Sequence, residues 1–290
     1  MRLTPAIAAL VLSAAALSAC STEEEMKAID PAGESAGEAA ADEAPAEEDT
    51  GAPSPVSDGT VRTTDLVTVI DDGAGPQMCL GAVAKSLPPQ CSGIPVEGFE
   101  FGDTGVEEAA GVRWGLYSVT GTFDGETFSA TEAVPAALYD PGPTEDLGDA
   151  ETPGPACESP ETTDPALASQ EALDATLAAA SALPGYATSW ISGDTFNVAV
   201  TEDADGAETK LRETWGGQLC VTEAEHTEAE LNTISQELQA ELPTLLTSGS
   251  SAVDSIDAWI VFDDGSIQEW ADETYGDGLV TITSALEPAE

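Results

Sequence analysis

The feature that most constrains this chain is an internal duplication. Glu213-Thr-Trp-Gly-Gly-Gln-Leu219 recurs, sixty residues on, as Glu273-Thr-Tyr-Gly-Asp-Gly-Leu279. The match runs backward at the same offset. Ala207, Leu211 and Trp215 sit at i, i+4 and i+8, as do Ile267, Ala271 and Tyr275, each set forming one face of a short helix. Phe196, Val198 and Val200 alternate as a strand, and so do Ile256, Ala258 and Ile260. Leu183-Pro184 and Leu242-Pro243 end two earlier helical runs, with stripes Leu173, Leu177, Ala180 and Leu231, Ile234, Leu238, Leu242. Thr227 and Glu230 have the spacing of a capping box at the start of the second run. Each unit therefore reads helix–strand–helix–strand. The pattern predicts that repeats of about 166–225 and 226–290 share one four-stranded sheet packed by helices. Its inner pieces are similar in pattern to a split βαβ, ferredoxin-like arrangement. The same offset sets Cys220 against Val280.

Upstream, residues 58–139 read as a small all-β domain, a barrel or sandwich, so the fold class is α+β. Leu66, Val67, Val69 and Ile70 form a strand ended by Asp71-Asp72-Gly73. Between Cys79 and Cys91, Pro88-Pro89 stops any regular element. Asp124-Gly125 has the composition of a two-residue hairpin turn, which sets Phe123 opposite Glu126, Gly121 opposite Phe128 and Val119 opposite Ala130. Phe128 then covers the bare backbone of Gly121. Residues 140–165 form a linker rich in proline and acid, which makes it semi-rigid. Before the β domain, residues 20–57 contain almost nothing to bury and read as a disordered acidic tether. As a flexible coil such a tether spans roughly 33 Å, enough to lift a domain through a cell-wall layer.

Charge excludes whole classes of function. The chain has 55 acidic residues against 7 basic ones. A surface of this sign repels phosphate backbones and anionic head groups, so nucleic acid is excluded as a partner and electrostatic adhesion to a membrane is excluded too. A saline habitat and a lineage-wide bias in composition each account for such acidity.

Residues 1–19 fit a signal peptide: Arg2 supplies one positive charge, Ala6 to Leu17 an apolar run too short to span a bilayer, and small residues follow. The stretch Leu17-Ser-Ala-Cys20 resembles the lipobox of bacterial lipoproteins. That resemblance implies acylation of Cys20, cleavage before it, and a membrane contact made through the lipid. An ordinary signal peptide cut nearby is the plainer alternative. With Cys20 assigned to the lipid, Cys79, Cys91, Cys157 and Cys220 remain, an even number on the oxidising side of the membrane. Three pairings exist; closeness in sequence favours Cys79–Cys91 and leaves Cys157–Cys220. Metal binding competes poorly, for there is no CxxC and a single histidine.

Other sequences resemble the same class. Cys79-Leu-Gly-Ala-Val, Pro-Pro-Gln-Cys91-Ser-Gly, Val119-Thr-Gly-Thr-Phe-Asp-Gly125, Trp215-Gly-Gly-Gln-Leu-Cys220 and His226-Thr-Glu-Ala-Glu-Leu231 look like segments of uncharacterised two-domain lipoproteins of high-GC Gram-positive bacteria (actinobacteria). The resemblance implies a location on the outer face of the cytoplasmic membrane and brings no mechanism.

Catalytic motifs are few. His226 directly precedes the capping Thr227, a structural position. No GxSxG occurs, and no lysine follows glycine as a phosphate-binding loop requires. Asp-Thr-Gly at Asp49 and Asp103 lacks the two matched lobes of an aspartic protease. Thr201-Glu-Asp203-Ala-Asp205-Gly206 resembles the start of a calcium loop, but its first position is Thr and its twelfth is Arg212 in place of a bidentate glutamate. A strand-to-helix turn with an N-cap fits it better. No catalytic residue, metal ligand or cofactor is assigned. The sequence thus leads to a non-enzymatic, lipid-anchored surface protein that contacts the envelope or an extracellular protein. The alternative is an extracytoplasmic lipoprotein that binds a small ligand or cation.

Overall fold

The computed structural model describes residues 51–140, 154, 156–158 and 160–289, the side chains of 251 and 252 excepted. The expected signal peptide, Cys20, residues 20–50 of the expected tether and residues 141–153 of the expected linker lie outside the described residues.

Within these bounds the molecule is mixed α+β, and its first half closes into a barrel. The strands are β1 (Val61–Thr63), β2 (Val67–Asp71), β3 (Gln77–Cys79), β4 (Ile94–Glu97), β5 (Val106–Ala109), β6 (Val112–Phe123) and β7 (Phe128–Pro135). Alternation makes the inner wall: Val67 and Val69 on β2, and Tyr117, Val119 and Phe123 on β6, are buried. Five strands close in the order β6-β2-β3-β4-β7 and back to β6, with only β4–β7 parallel. β6 is long enough to take two partners along each edge, β2 then β1 on one and β5 then β7 on the other.

The hairpin after β6 departs from the expected register. Phe123 pairs with Phe128 and Gly121 with Ala130, and a bulge then brings Val119 opposite Ala133. Asp124 is the cause. Its Oδ1 accepts from the N–H groups of Glu126 and Thr127 at 3.0 and 2.7 Å, which builds a longer turn than a two-residue loop allows. These bonds to Thr127 and Glu126 also hold the Asp124 carboxyl below its ordinary value. Before the bulge the shift is two residues, an even number, so the inward face is kept there, and the Phe128 ring still lies over Gly121, 2.7 Å from where a Cβ would stand. The end of the expected tether also belongs to the fold. Ser57 donates its N–H to Phe123 O at 2.8 Å and accepts from Phe123 N–H at 2.7 Å.

The duplication is real in three dimensions but its topology differs from the expectation. Repeat one is α1 (Gln170–Ala180), β8 (Tyr186–Ser192), β9 (Thr195–Val200), α2 (Ala204–Leu211) and β10 (Gln218–Glu223). Repeat two is α3 (Glu228–Glu241), β11 (Leu245–Ala252), β12 (Ser255–Ile260), α4 (Ser266–Tyr275) and β13 (Val280–Ser284), after which β14 (Leu286–Pro288) follows. Each repeat is helix–strand–strand–helix–strand, and each has its own three-stranded sheet, β10-β9-β8 and β11-β12-β13. The single shared sheet is thereby corrected. The strand missed in each repeat forms a tight hairpin with the next, across Gly193-Asp194 and across Val253-Asp254. Once each unit holds an antiparallel and a parallel neighbour around its middle strand, it covers its own helices and needs no strand from its twin.

The buried stripes agree with the sequence for Ala207 and Leu211, Ile267 and Ala271, and Leu231 and Leu238. In α1, Leu177 faces outward and Thr176 is buried instead, its hydroxyl donating to Ala172 O at 2.7 Å and lying 2.9 Å from the Thr214 hydroxyl. The last strands align one residue off the sixty-residue offset. Leu219 pairs with Phe196, whereas Val280 pairs with Ile256, so repeat two has one extra residue between α4 and β13 and Cys220 corresponds to Thr281 rather than Val280.

The C-terminus crosses back to the barrel. β14 pairs with β1, Leu286 opposite Thr63, and Val261, Phe262 and Leu286 are buried in the same core as Val69, Tyr117 and Phe128. Phe262 and Phe123 meet with ring centroids 6.5 Å apart.

Candidate interaction surface

β2 and β6 point Thr68, Ile70, Trp114 and Leu116 away from the barrel core, by the alternation that points Val67, Val69 and Tyr117 inward. Such an outer face is normally polar. Here it is partly roofed by the loop between Cys79 and Cys91, whose disulfide has Cα atoms 5.9 Å apart. The loop has little backbone pairing of its own: Ala84 N–H to Gln90 O at 2.8 Å and a single bridge between those residues. The hydroxyl of Ser86 donates to Pro88 O at 2.8 Å. The disulfide supplies what the missing ladder does not.

Pro89 borders two clefts of about 400 Å³ each, and Pro88 borders the first of them. One is bounded by Ile70, Asp72, Gln77 and Val112, the other by Thr68, Glu107, Trp114, Leu116 and Ala136. Around them stand apolar side chains in water: Leu87 is 77% exposed, Leu138 68% and Leu116 49%. In so acidic a protein, grouped exposed leucines mark a contact surface more than single scattered ones would.

At the near end of the barrel sits an aromatic cluster. Phe99 meets Phe101 and Tyr117 edge to face, both at 5.0 Å, and the Arg113 guanidinium lies 4.8 Å from the centre of the Phe101 ring. The Tyr117 hydroxyl is buried without a hydrogen-bond partner. Burial pushes its pKa up, against the opposing pull of Arg113. Gly115 makes room for this ring, since a Cβ there would stand 2.7 Å from Gly105 O and 2.8 Å from the tyrosine.

The second disulfide, Cys157–Cys220, joins the linker to β10 with Cα atoms 5.8 Å apart. Both favoured pairings are therefore present. The remaining residues singled out in the sequence do not converge. Asp203 accepts from Gly206 N–H at 3.1 Å as the N-cap of α2. His226 is half-buried before α3, and its N–H donates to Asp254 Oδ1 at 2.7 Å. Asp103 is exposed in the turn before β5, and Asp49 and Cys20 lie outside the described residues. Among the described residues no group of three or more His, Cys, Asp or Glu side chains is placed to hold a metal ion. The arrangement offers binding chemistry: apolar contact, two shallow clefts and a few fixed carboxylates.

The sequence reading missed this surface, although Trp114-Gly-Leu116 carried a signal. Bulky apolar residues on the parity opposite to Tyr117 and Val119 cannot be in the same core. The chain matches no family model, no curated protein and no solved structure.

Proposed function

We propose that this chain is a lipid-anchored protein displayed on the outer face of the cytoplasmic membrane, acting without catalysis through contact with an envelope or extracellular protein. The anchor rests on Leu17-Ser-Ala-Cys20. The contact reading rests on one observation above others: Leu87, Leu116 and Leu138 stand exposed around the disulfide-closed loop of the barrel. Burying a leucine side chain is worth about 1.5–3 kcal/mol, so a partner that covered these three would gain substantially from them alone. The loop holds its shape through Cys79–Cys91, which lowers the entropy cost of ordering it on contact. Two measurements test the reading. Metabolic palmitate labelling of the wild type should fall to background in Cys20→Ala; equal labelling of both would end the anchor. Cross-linking on intact cells should give a defined adduct that disappears in Leu116→Asp with Leu138→Asp. An adduct that persists in the double variant removes the barrel face from the proposal.

A further inference from the structure

The two repeats differ in what lies on the sheet face turned away from the helices. In repeat one that face is occupied by the chain itself. Gly154, Ala156 and Cys157 run over it, held by Trp190 Nε1–H to Gly154 O at 3.1 Å and Ala156 N–H to Asn197 Oδ1 at 2.9 Å. The disulfide to Cys220 fixes the same segment covalently. Asn197 is fully buried and its Nδ2 donates to Thr195 O at 3.1 Å, which leaves its oxygen to accept from Ala156 of the seated segment. Among the described residues the same face of repeat two is open: Thr247, Gly249, Trp259 and Thr281 are exposed, and Asp257 and Thr283 are half-buried. Its residues are Thr247 and Gly249 on β11, Asp257 and Trp259 on β12, and Thr281 and Thr283 on β13. Trp259 is 42% exposed.

Register relates the two faces residue by residue. Asn197 lies between Trp190 and Cys220, and Asp257 lies between Gly249 and Thr281. Asp257 thus keeps an acceptor where Asn197 accepts a peptide N–H. Gly249 removes the Trp190 side chain, and a Cβ at that position would meet nothing within 4 Å. The indole reappears two residues along β12 as Trp259, roughly 7 Å from Asp257, the i to i+2 spacing of an extended ligand. Thr281 replaces Cys220, so a segment seated here is held without a covalent bond.

We infer that the bare face of the β11-β12-β13 sheet binds an extended, lysine- or arginine-bearing segment of a partner polypeptide. The sister repeat shows the kind of occupant, a length of polypeptide held through its backbone groups. Charge supplies its sign: the acceptor has changed from a neutral amide to a carboxylate in a chain of net charge -48. An exposed indole beside a carboxylate receives an ammonium or guanidinium group by ring-face attraction and by charge together. This site is separate from the barrel surface and does not depend on it.

The test uses the full mature chain in detergent and fluorescently labelled heptapeptides with a central Gly-Pro-Ala, flanked by either lysines or glutamates. The lysine peptide should bind in an anisotropy titration, more weakly as sodium chloride rises, and the glutamate peptide should not. Trp259→Ala and Asp257→Ala should each weaken binding at least tenfold, and Asp257→Asn, which copies repeat one, should fall between. Thr281→Arg, a change at an exposed position, should abolish binding while leaving the thermal midpoint unchanged, which separates loss of the site from loss of the fold. Equal binding of both peptides, binding indifferent to Trp259, or no binding by the lysine peptide overturns the inference. So does preferential binding of a neutral oligosaccharide that is lost in Trp259→Ala.

Discussion

Residue 268 shows how the two copies solve one problem with different chemistry. Each three-stranded sheet ends in a strand, β10 or β13, whose outer backbone groups have no neighbouring strand. In repeat two Gln268 stands in for one: its Nε2 donates to Val280 O and its Oε1 accepts from Ile282 N–H, both at 2.9 Å. In repeat one the helix passes Arg212 along that edge, with Nη1 donating to Gly217 O at 2.7 Å. The carboxylate partner also moves, from Glu208 beside Arg212 to Asp272 beside Gln268. An amide satisfies both donor and acceptor on the edge, whereas a guanidinium satisfies carbonyls alone. Gln268→Ala should therefore cost about 1–3 kcal/mol in urea unfolding, the penalty of leaving part-buried polar groups unpaired. Gln268→Glu should cost at least as much, because the carboxylate cannot donate to Val280 O. The capping box at Thr227 and Glu230 was legible from spacing alone, since it is local. The edge cover was not, since nothing in the sequence says which helix crosses an unpaired strand. The capping box makes a pH prediction. The Thr227 N–H, with help from its hydroxyl, holds the Glu230 carboxyl below its ordinary value of 4.5. A lowered folded pKa means that this contribution is complete above the unfolded value and is lost as pH falls through the folded one. Glu230→Gln keeps a hydrogen-bonding side chain but removes the titration. In thermal melts between pH 2 and 6 it should lose less stability across that window than the wild type does.

At the scale of elements, the sequence was most readable where apolar residues alternate and least readable where strands are made of small polar ones. Phe196, Val198 and Val200 declared β9, but Leu245–Ala252 is largely serine, threonine and glycine. β11 exists because β12 pairs with it, through a register containing two irregularities. Gly193-Asp194 has the composition of a two-residue hairpin turn, which the helix–strand–helix–strand reading passed over, as it did the twin at Val253-Asp254. Asp254 adopts φ 59°, a conformation unusual outside glycine, and its carboxylate receives the N–H groups of Glu225 and His226. The cysteine pairings were legible because one pair closes a short loop and the other a long one. The chain-entropy relation assigns about 3 kcal/mol to Cys79–Cys91 and about 4 kcal/mol to Cys157–Cys220. Beyond that difference, the longer bridge also seats a segment on the face of β9. The double variant Cys157→Ser with Cys220→Ser should therefore lose more stability than Cys79→Ser with Cys91→Ser in guanidinium unfolding. Its amide exchange should rise at Ala156. A difference of only about 1 kcal/mol, the loop-closure contribution alone, would mean that the linker segment adds nothing to the sheet it covers.

Across the whole molecule, the reading of strands followed by mixed helices and strands captured the fold class but not where the core runs. Val261, Phe262 and Leu286 come from the second repeat and its tail, yet they fill the barrel behind Phe123. Contacts this far apart in sequence leave no local periodicity to read. Val261-Phe262 looks like the end of a strand, and Leu286 like one apolar residue in a polar tail. The barrel is consequently incomplete until the end of the chain is in place: β14 pairs with β1, and Arg62 meets Glu287 at 2.7 Å beside it. That exposed ion pair fixes little by itself. The buried phenylalanine decides the matter. Phe262→Ala should cost about 3–5 kcal/mol, the usual range for emptying a phenylalanine site in a core. The loss should appear as a shift of one common transition, followed by tryptophan fluorescence and by circular dichroism, because the barrel and repeat two share the atoms that leave. Net charge sets the background. With 55 acids against 7 bases, self-repulsion opposes the compact state, and added sodium chloride should raise the thermal midpoint of wild type and variant alike. Two separated transitions in the wild type, with only the second moved by Phe262→Ala, would show that the barrel stands without the C-terminal segment.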